Sequence, residues 1–280
     1  MKLAALALAL VLSASARAQP PTSDELRSIV RKALTGLTRE DEVRGDYLFT
    51  ARSERKELDS AGKVVSQESH KWERIEIDGF PFGRTLERNG KPLTADERKA
   101  EDVAMQRKLA ELKSPVEAAG LGGASSAKSA KRPRQDEWYL ELPNALDYQL
   151  AGEEAVNGRP ALHLAARPKP GYQARNLRAR VFEKMKASIW IDKASSELVK
   201  ADAEMFDTVS VGFGVLGKVE KGTRFRIQRQ LLDDGVWLID SQSVHFSARI
   251  LLFKTVRNES STEWSDFRRR INLPSGAAKK

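Results

Sequence analysis

The sequence predicts a mainly antiparallel β fold of the α+β class: a curved sheet or incomplete β-barrel of about ten strands, with two to three helices covering its concave face. Three observations carry that expectation. From Val43 onward, apolar and polar residues alternate at period two through a series of runs. Turn signals such as Asn89-Gly90, Asn157-Gly158 and Asp233-Asp234-Gly235 separate those runs. Helical periodicity is confined to a few segments, two of which open on the same Thr-x-x-Glu pattern. A single twisted antiparallel sheet of that many strands tends to curl. Short helices then close the hollow side around either a packed core or a pocket.

The first eighteen residues read as an export signal. Lys2 gives a positive start, Leu3 to Leu12 form an unbroken apolar run, and Ala16-Arg17-Ala18 places small residues at the −3 and −1 positions of a cut before Gln19. A membrane-spanning helix needs about 20 apolar residues, more than this run supplies. No Cys follows it, which excludes the lipid-anchored form of such a signal. The expected mature protein is exported and soluble, in a bacterial periplasm. Its formal charge falls from +9 to +7 as Lys2 and Arg17 leave. The basic residues are interleaved with acids, as in Glu54-Arg55-Lys56-Glu57, and only Lys128, Lys131, Arg132 and Arg134 cluster. That pattern argues against a nucleic-acid groove, which needs a coherent basic face with stacking aromatics. With no cysteine, an exported domain holds together only by burying apolar surface.

Taken in order, Thr22-Ser23-Asp24-Glu25 is a capping box, and Leu26, Ile29, Val30, Ala33, Leu34 and Leu37 then share one helix face. Tyr47, Phe49 and Ala51 alternate with Leu48, Thr50 and Arg52 in a first strand. The turn at 59–63 leads to a second strand over 64–78, with Trp72, Ile75 and Ile77. Gly79, Pro81 and Gly83 read as a break, and Arg84 to Arg88 as a short third strand. Thr94-Ala95-Asp96-Glu97 opens a charged helix to about Leu112 on the surface of the fold. The Gly-, Ala-, Ser- and Lys-rich stretch 120–135 reads as a flexible insertion within one domain spanning 19–272, followed by a disordered tail at 273–280. Runs at 138–142, 145–152 and 159–167 follow, then a short helix around Leu177 to Met185. The expected meander comprises strands at 188–192, 197–206, 209–219, 222–232, 236–252 and 253–267.

In the 236–252 strand, Val244, Phe246, Ala248, Ile250 and Leu252 share one face and His245, Ser247 and Arg249 the other. Phe225 and Ile227 lie opposite Arg224 and Arg226. Such alternation gives one dry and one wet face.

Catalytic signatures are sparse. His70, His163 and His245 fall on three separate strands without metal-ligand spacing. No Gly-x-Ser-x-Gly motif occurs. Gly212-Phe213-Gly214-Val215-Leu216-Gly217 lacks the spacing of a phosphate loop, and its glycines suit a bulge or close approach at a curved sheet. Glu153-Glu154 and Asp233-Asp234 are adjacent acids in turns, which places each pair on opposite sides. Trp72, Trp138, Trp190, Trp237 and Trp264 suit core anchors. No metal, cofactor or enzymatic activity is expected.

The order of features resembles the LolA-like periplasmic carriers that sort outer-membrane lipoproteins. The resemblance rests on the cleavable signal, the N-terminal helix and the long hairpin strands. It extends to Asn89-Gly90-Lys91-Pro92-Leu93 before a charged helix, Gly158-Arg159, Ile189-Trp190-Ile191-Asp192 and Trp264-Ser265-Asp266-Phe267. It implies an incomplete barrel with a helical lid whose apolar interior takes up acyl chains. Arg44 and Arg52, both expected in the first strand, are the candidates for a gating arginine, and no motif selects one. The cavity candidates are Leu26, Ile29 and Leu37 from the lid, and Tyr47, Phe49, Phe225, Ile227, Phe246 and Ile250 from the sheet. The expected partners are lipid or lipoprotein acyl chains, with an envelope membrane protein as a further one and no nucleic acid. About 14 buried methylenes at ~0.8 kcal/mol each are worth roughly 11 kcal/mol before ordering costs, so release needs a collapsing lid or a drier acceptor. A sensor or scaffold acting through an exposed edge strand and the basic loop is the other class that the sequence leaves open, ahead of a hydrolase.

Overall fold

The computed structural model describes residues 21–113, 138–176, 178–211, 217–250 and 254–271. The expected leader at 1–18, insertion at 120–135 and tail at 273–280 lie outside the described residues, as do Gly212 and Gly214. Among the described residues the strands are β1 (Tyr47–Leu58), β2 (Val64–Ile77), β3 (Phe80–Arg88), β4 (Lys91–Pro92), β5 (Leu146–Val156), β6 (Arg159–Pro168) and β7 (Met185–Asp192). They continue as β8 (Leu198–Met205), β9 (Val209–Val211), β10 (Gly217–Val219), β11 (Arg224–Leu231), β12 (Trp237–Ile250) and β13 (Lys254–Arg269). The helices are α1 (Ser23–Thr38), α2 (Glu40–Arg44), α3 (Ala95–Lys113) and α4 (Leu142–Ala145).

Thirteen strands, rather than the ten expected, form one antiparallel sheet in the order β4-β3-β2-β1-β13-β12-β11-β8-β7-β6-β5, with β10 paired to β12 and β9 to β10. The sheet is not closed into a barrel: β4 and β5 are its two ends. Pairing of β1 with β13 places the first and last strands side by side in its middle.

Several elements differ from the sequence reading, each for a local reason. Residues 40–44 are helical, so Arg44 lies on α2 and not in the first strand; a single turn is too short to display a period. The third strand begins at Phe80 and runs through Pro81 and Gly83, paired to β2. Close to the sheet's end, the N–H that proline lacks is dispensable. Residues 138–141 form a 3-10 turn, as do Ala179–Lys184 in the region read as a short helix. The run 209–219 is two short strands paired with each other, not one.

The capping box of α1 is formed: the Thr22 backbone N–H donates to Glu25 at 2.7 Å, and the Glu25 N–H donates to the Thr22 hydroxyl at 3.3 Å. The stripe it sets up buries Leu26, Val30, Ala33 and Leu34 against Tyr148, Leu164, Ile189, Ile191, Leu198 and Ile227 of the sheet. A second cluster joins Tyr47, Phe49, Ala51 and Leu238, with Val43, Trp72, Trp264 and Phe267 packed on it. Trp190 and Val199 alternate with Ile189, Ile191 and Leu198, so they project to the other face, where they cluster with Val156, Ala161 and Trp237.

Candidate functional site

Strand register defines how the helix-bearing face continues beyond α1, because residues directly opposite in an antiparallel ladder share a face. One row runs Ile189, Ala201, Ile227, Gln242, Thr262, Ser53. The next row outward runs Ala187, Ala203, Phe225, Val244, Ser260, Arg55. A third places Phe246 opposite Asn258, which faces Glu57. The first row starts beneath α1 and is closed there. The second is open: Phe225 is 42% exposed, and Ala203, Val244 and Phe246 are half-buried. Alanines at 187 and 203 make a low floor, and Phe225 stands above it. The result is an apolar strip across β8, β11 and β12.

Eight of the nine cavity candidates fall into three settings. Leu26, Tyr47, Phe49 and Ile227 are buried among other apolar side chains, each at most 4% exposed. Ile29 and Leu37 are half-buried and pack against the cluster that holds Leu26 and Ile227, so the stripe of α1 fills the space beneath the helix. Phe225 and Phe246 lie on the open strip. Ile250 is the last residue of β12, and its side chain lies outside the described set. Face assignment alone had no means of separating these groups. The sequence reading missed Ala203 as part of the floor, because cross-strand register is invisible in a strand read singly.

The opposite face of the same strands is knitted by charge pairs. Arg226 pairs with Asp202 at 2.6 Å, Arg224 with Glu204 at 3.2 Å and His245 with Glu259 at 3.1 Å. Ser247 donates to Glu220 at 2.6 Å. A depression of about 300 Å³ lies among Glu54, Asp202, Arg224, Arg226, His245 and Glu259. A second, of about 460 Å³, is lined by Arg52, Lys71, Gln230, Asp240 and Glu263; burial holds the Asp240 carboxyl above its ordinary range. Both depressions are lined largely by charged and polar side chains. Among the described residues no cluster of three or more His, Asp or Glu could hold a metal ion, and no helix is long and apolar enough to cross a membrane.

Near β5 and β6, His163 stacks on Trp190 with centroids 4.5 Å apart, and Lys200 lies 4.2 Å from the Trp190 ring centroid. The Trp190 indole donates to Glu154 at 2.9 Å, which holds that carboxyl below its ordinary range. Trp190 and Trp237 are buried, and Trp72 and Trp264 are half-buried against the second cluster, as expected of core anchors. The Trp138 side chain lies outside the described set.

No family model and no curated protein matches the sequence. Solved structures do. A domain of an outer membrane lipoprotein-sorting protein from Vibrio parahaemolyticus is 12% identical with a TM-score of 0.32, over 87% of this chain and 94% of that one. A LolA superfamily protein from Nitrosomonas europaea is 11% identical with a TM-score of 0.25, over 89% and 97%. The MucA/MucB complex of Pseudomonas aeruginosa contains a chain 13% identical with a TM-score of 0.21, over 86% and 100%.

Proposed function

We propose that the chain is a non-catalytic carrier, exported to the bacterial periplasm, that shields an acyl chain of a lipid or lipoprotein against the open strip on its helix-bearing sheet face. The observation that carries this reading lies on one strand. Ile227 is 4% exposed beneath α1, whereas Phe225, two residues away on the same face, is 42% exposed. An exposed Phe225 beside the half-buried Val244 and Phe246 offers a hydrocarbon tail apolar surface to cover, at a gain of ~0.8 kcal/mol for each methylene it buries. In this account Phe225 and Phe246 touch the ligand, with Ala203 and Val244 beneath it. Leu26, Ile29, Leu37, Tyr47, Phe49 and Ile227 build the wall and core that hold the strip in shape.

Native mass spectrometry of the protein purified from its own host tests this. The reading expects bound acylated species that disappear when Phe225→Asp and Phe246→Asp are combined. A stoichiometric protein partner with no acyl species, or acyl species that survive both changes, would overturn it in favour of a scaffold or of a site elsewhere.

A further inference from the structure

The open strip does not end in solvent; it ends in a patch of neutral polar side chains. Beyond Val244 and Phe246 the same face carries Ser260 and Asn258, flanked by Gln242, Thr262 and Ser53. All five are half-buried. None of their side chains hydrogen-bonds a described residue. On the reverse of the same strands charged groups pair with one another instead, Glu54 with Lys56 and His245 with Glu259. One sheet thus has a face of paired charges and a face of neutral polar side chains beside an apolar floor.

Charge on the open face is nearly balanced. Arg55 lies 4.0 Å from Glu57 with both over half exposed, and on β2 Glu68 is opposite Arg55 and His70 opposite Ser53. An anionic group settling on this patch would find its nearest cation already shared with carboxylates, and desolvating an unpaired charge is costly. Hydroxyl and carboxamide side chains instead match hydroxyl, amide or ester groups, each serving as donor and acceptor. We infer that the site takes an amphiphile with an uncharged, hydrogen-bonding headgroup, its tail over Phe225 and its head on the Ser260, Thr262 and Asn258 side chains. This deepens the carrier reading and rests on it.

The test titrates the purified chain with dodecyl maltoside and with dodecyl phosphate, both below their micelle-forming concentrations, so that the tail is constant and only the head changes. The inference expects the maltoside to bind about tenfold more tightly. The preference should shrink to within about twofold in the Ser260→Val, Thr262→Val variant, since valine suits a strand and removes both hydroxyls. Equal or tighter binding of the phosphate overturns the headgroup assignment and leaves the carrier standing. So does a maltoside preference that the folded double variant retains. Binding of neither amphiphile overturns both readings. Should the double variant fail to fold, the comparison of headgroups on the unaltered chain still decides.

Discussion

Arg229 on β11 and Glu40 on α2 form an ion pair at 3.1 Å with only 2% and 4% of their side chains exposed. The contact is flanked by others. Arg229 donates to Glu197 at 2.9 Å and to the carbonyls of Leu198 and Trp237 at 3.1 and 3.0 Å. Glu40 accepts from the Ile239 backbone N–H and from Arg44, and Arg44 in turn donates to the Ile239 carbonyl at 3.0 Å. The helical segment that follows α1 is therefore tied to β8, β11 and β12 by charge at the centre of the fold.

Breaking such a pair from one side leaves a buried charge without its partner, at a cost of ~3–5 kcal/mol. Arg229→Met and Glu40→Leu should each lower the unfolding free energy by about that amount, and the double variant should lose less than the two single losses added, since each single change strands the other's charge. Urea unfolding midpoints check this. Single variants that unfold within about 0.5 kcal/mol of the unaltered chain, the usual range of surface changes, would show that the pair does not hold α2 in place.

Ile227 and Phe225 separate core from site on one strand. Ile227→Ala should cost ~2–5 kcal/mol through the cavity it leaves while acyl binding persists in the folded fraction. Phe225→Asp should leave stability nearly unchanged, as at exposed positions generally, and abolish binding. Thermal unfolding and amphiphile titration on the same two samples check both halves.

The capping boxes of α1 and α3 make a pH prediction. The hydrogen bonds from Thr22 to Glu25, and from Thr94 to Glu97, hold both carboxyls below the ordinary glutamate value of 4.5. A value lowered by folding means that the caps add stability above pH 4.5 and lose it as pH falls through the folded value. Carboxyl-carbon NMR titration should show both glutamates titrating low, and Thr22→Val, which removes the hydroxyl but keeps the backbone N–H donor, should raise Glu25 part of the way and leave Glu97 unchanged.

Tyr47 makes the opposite prediction on the alkaline side. Burial, aided by its hydrogen bond to Asp234, pushes its hydroxyl from 10.0 up to about 12. The stability this contributes is present below pH 10 and is lost as pH rises through about 12. Tyr47→Phe should lose ~1 kcal/mol at neutral pH and flatten the alkaline limb of the stability profile. Stability measured from neutral to strongly alkaline pH checks this.

Local signals recovered much of this architecture. Thr22 and Glu25 announced α1 and its buried stripe, and the alternation around Phe225, Ile227, Val244 and Phe246 identified the helix-bearing face correctly. What failed was information that lies between strands. Nothing local distinguishes Ile227, covered by α1, from Phe225, which is not. Nothing in β13 alone reveals that Ser260 sits opposite Val244 and beside Arg55. Glu40 and Arg229 look like surface charges until the fold brings them together, and five residues of helix at 40–44 are too few for periodicity to show. The Gly79, Pro81 and Gly83 run misled because breaker residues are tolerated near a sheet's end.

The account stands or falls on where a hydrocarbon tail rests. The most direct measurement is photocrosslinking with a dodecyl amphiphile carrying a diazirine near its tail end, followed by peptide mapping of the adducts. The account predicts adducts on β8, β11 and β12 around Ala203, Phe225, Val244 and Phe246. Adducts confined to the charged face around Arg226 and His245, or to residues beneath α1 such as Leu26 and Ile227, would contradict it.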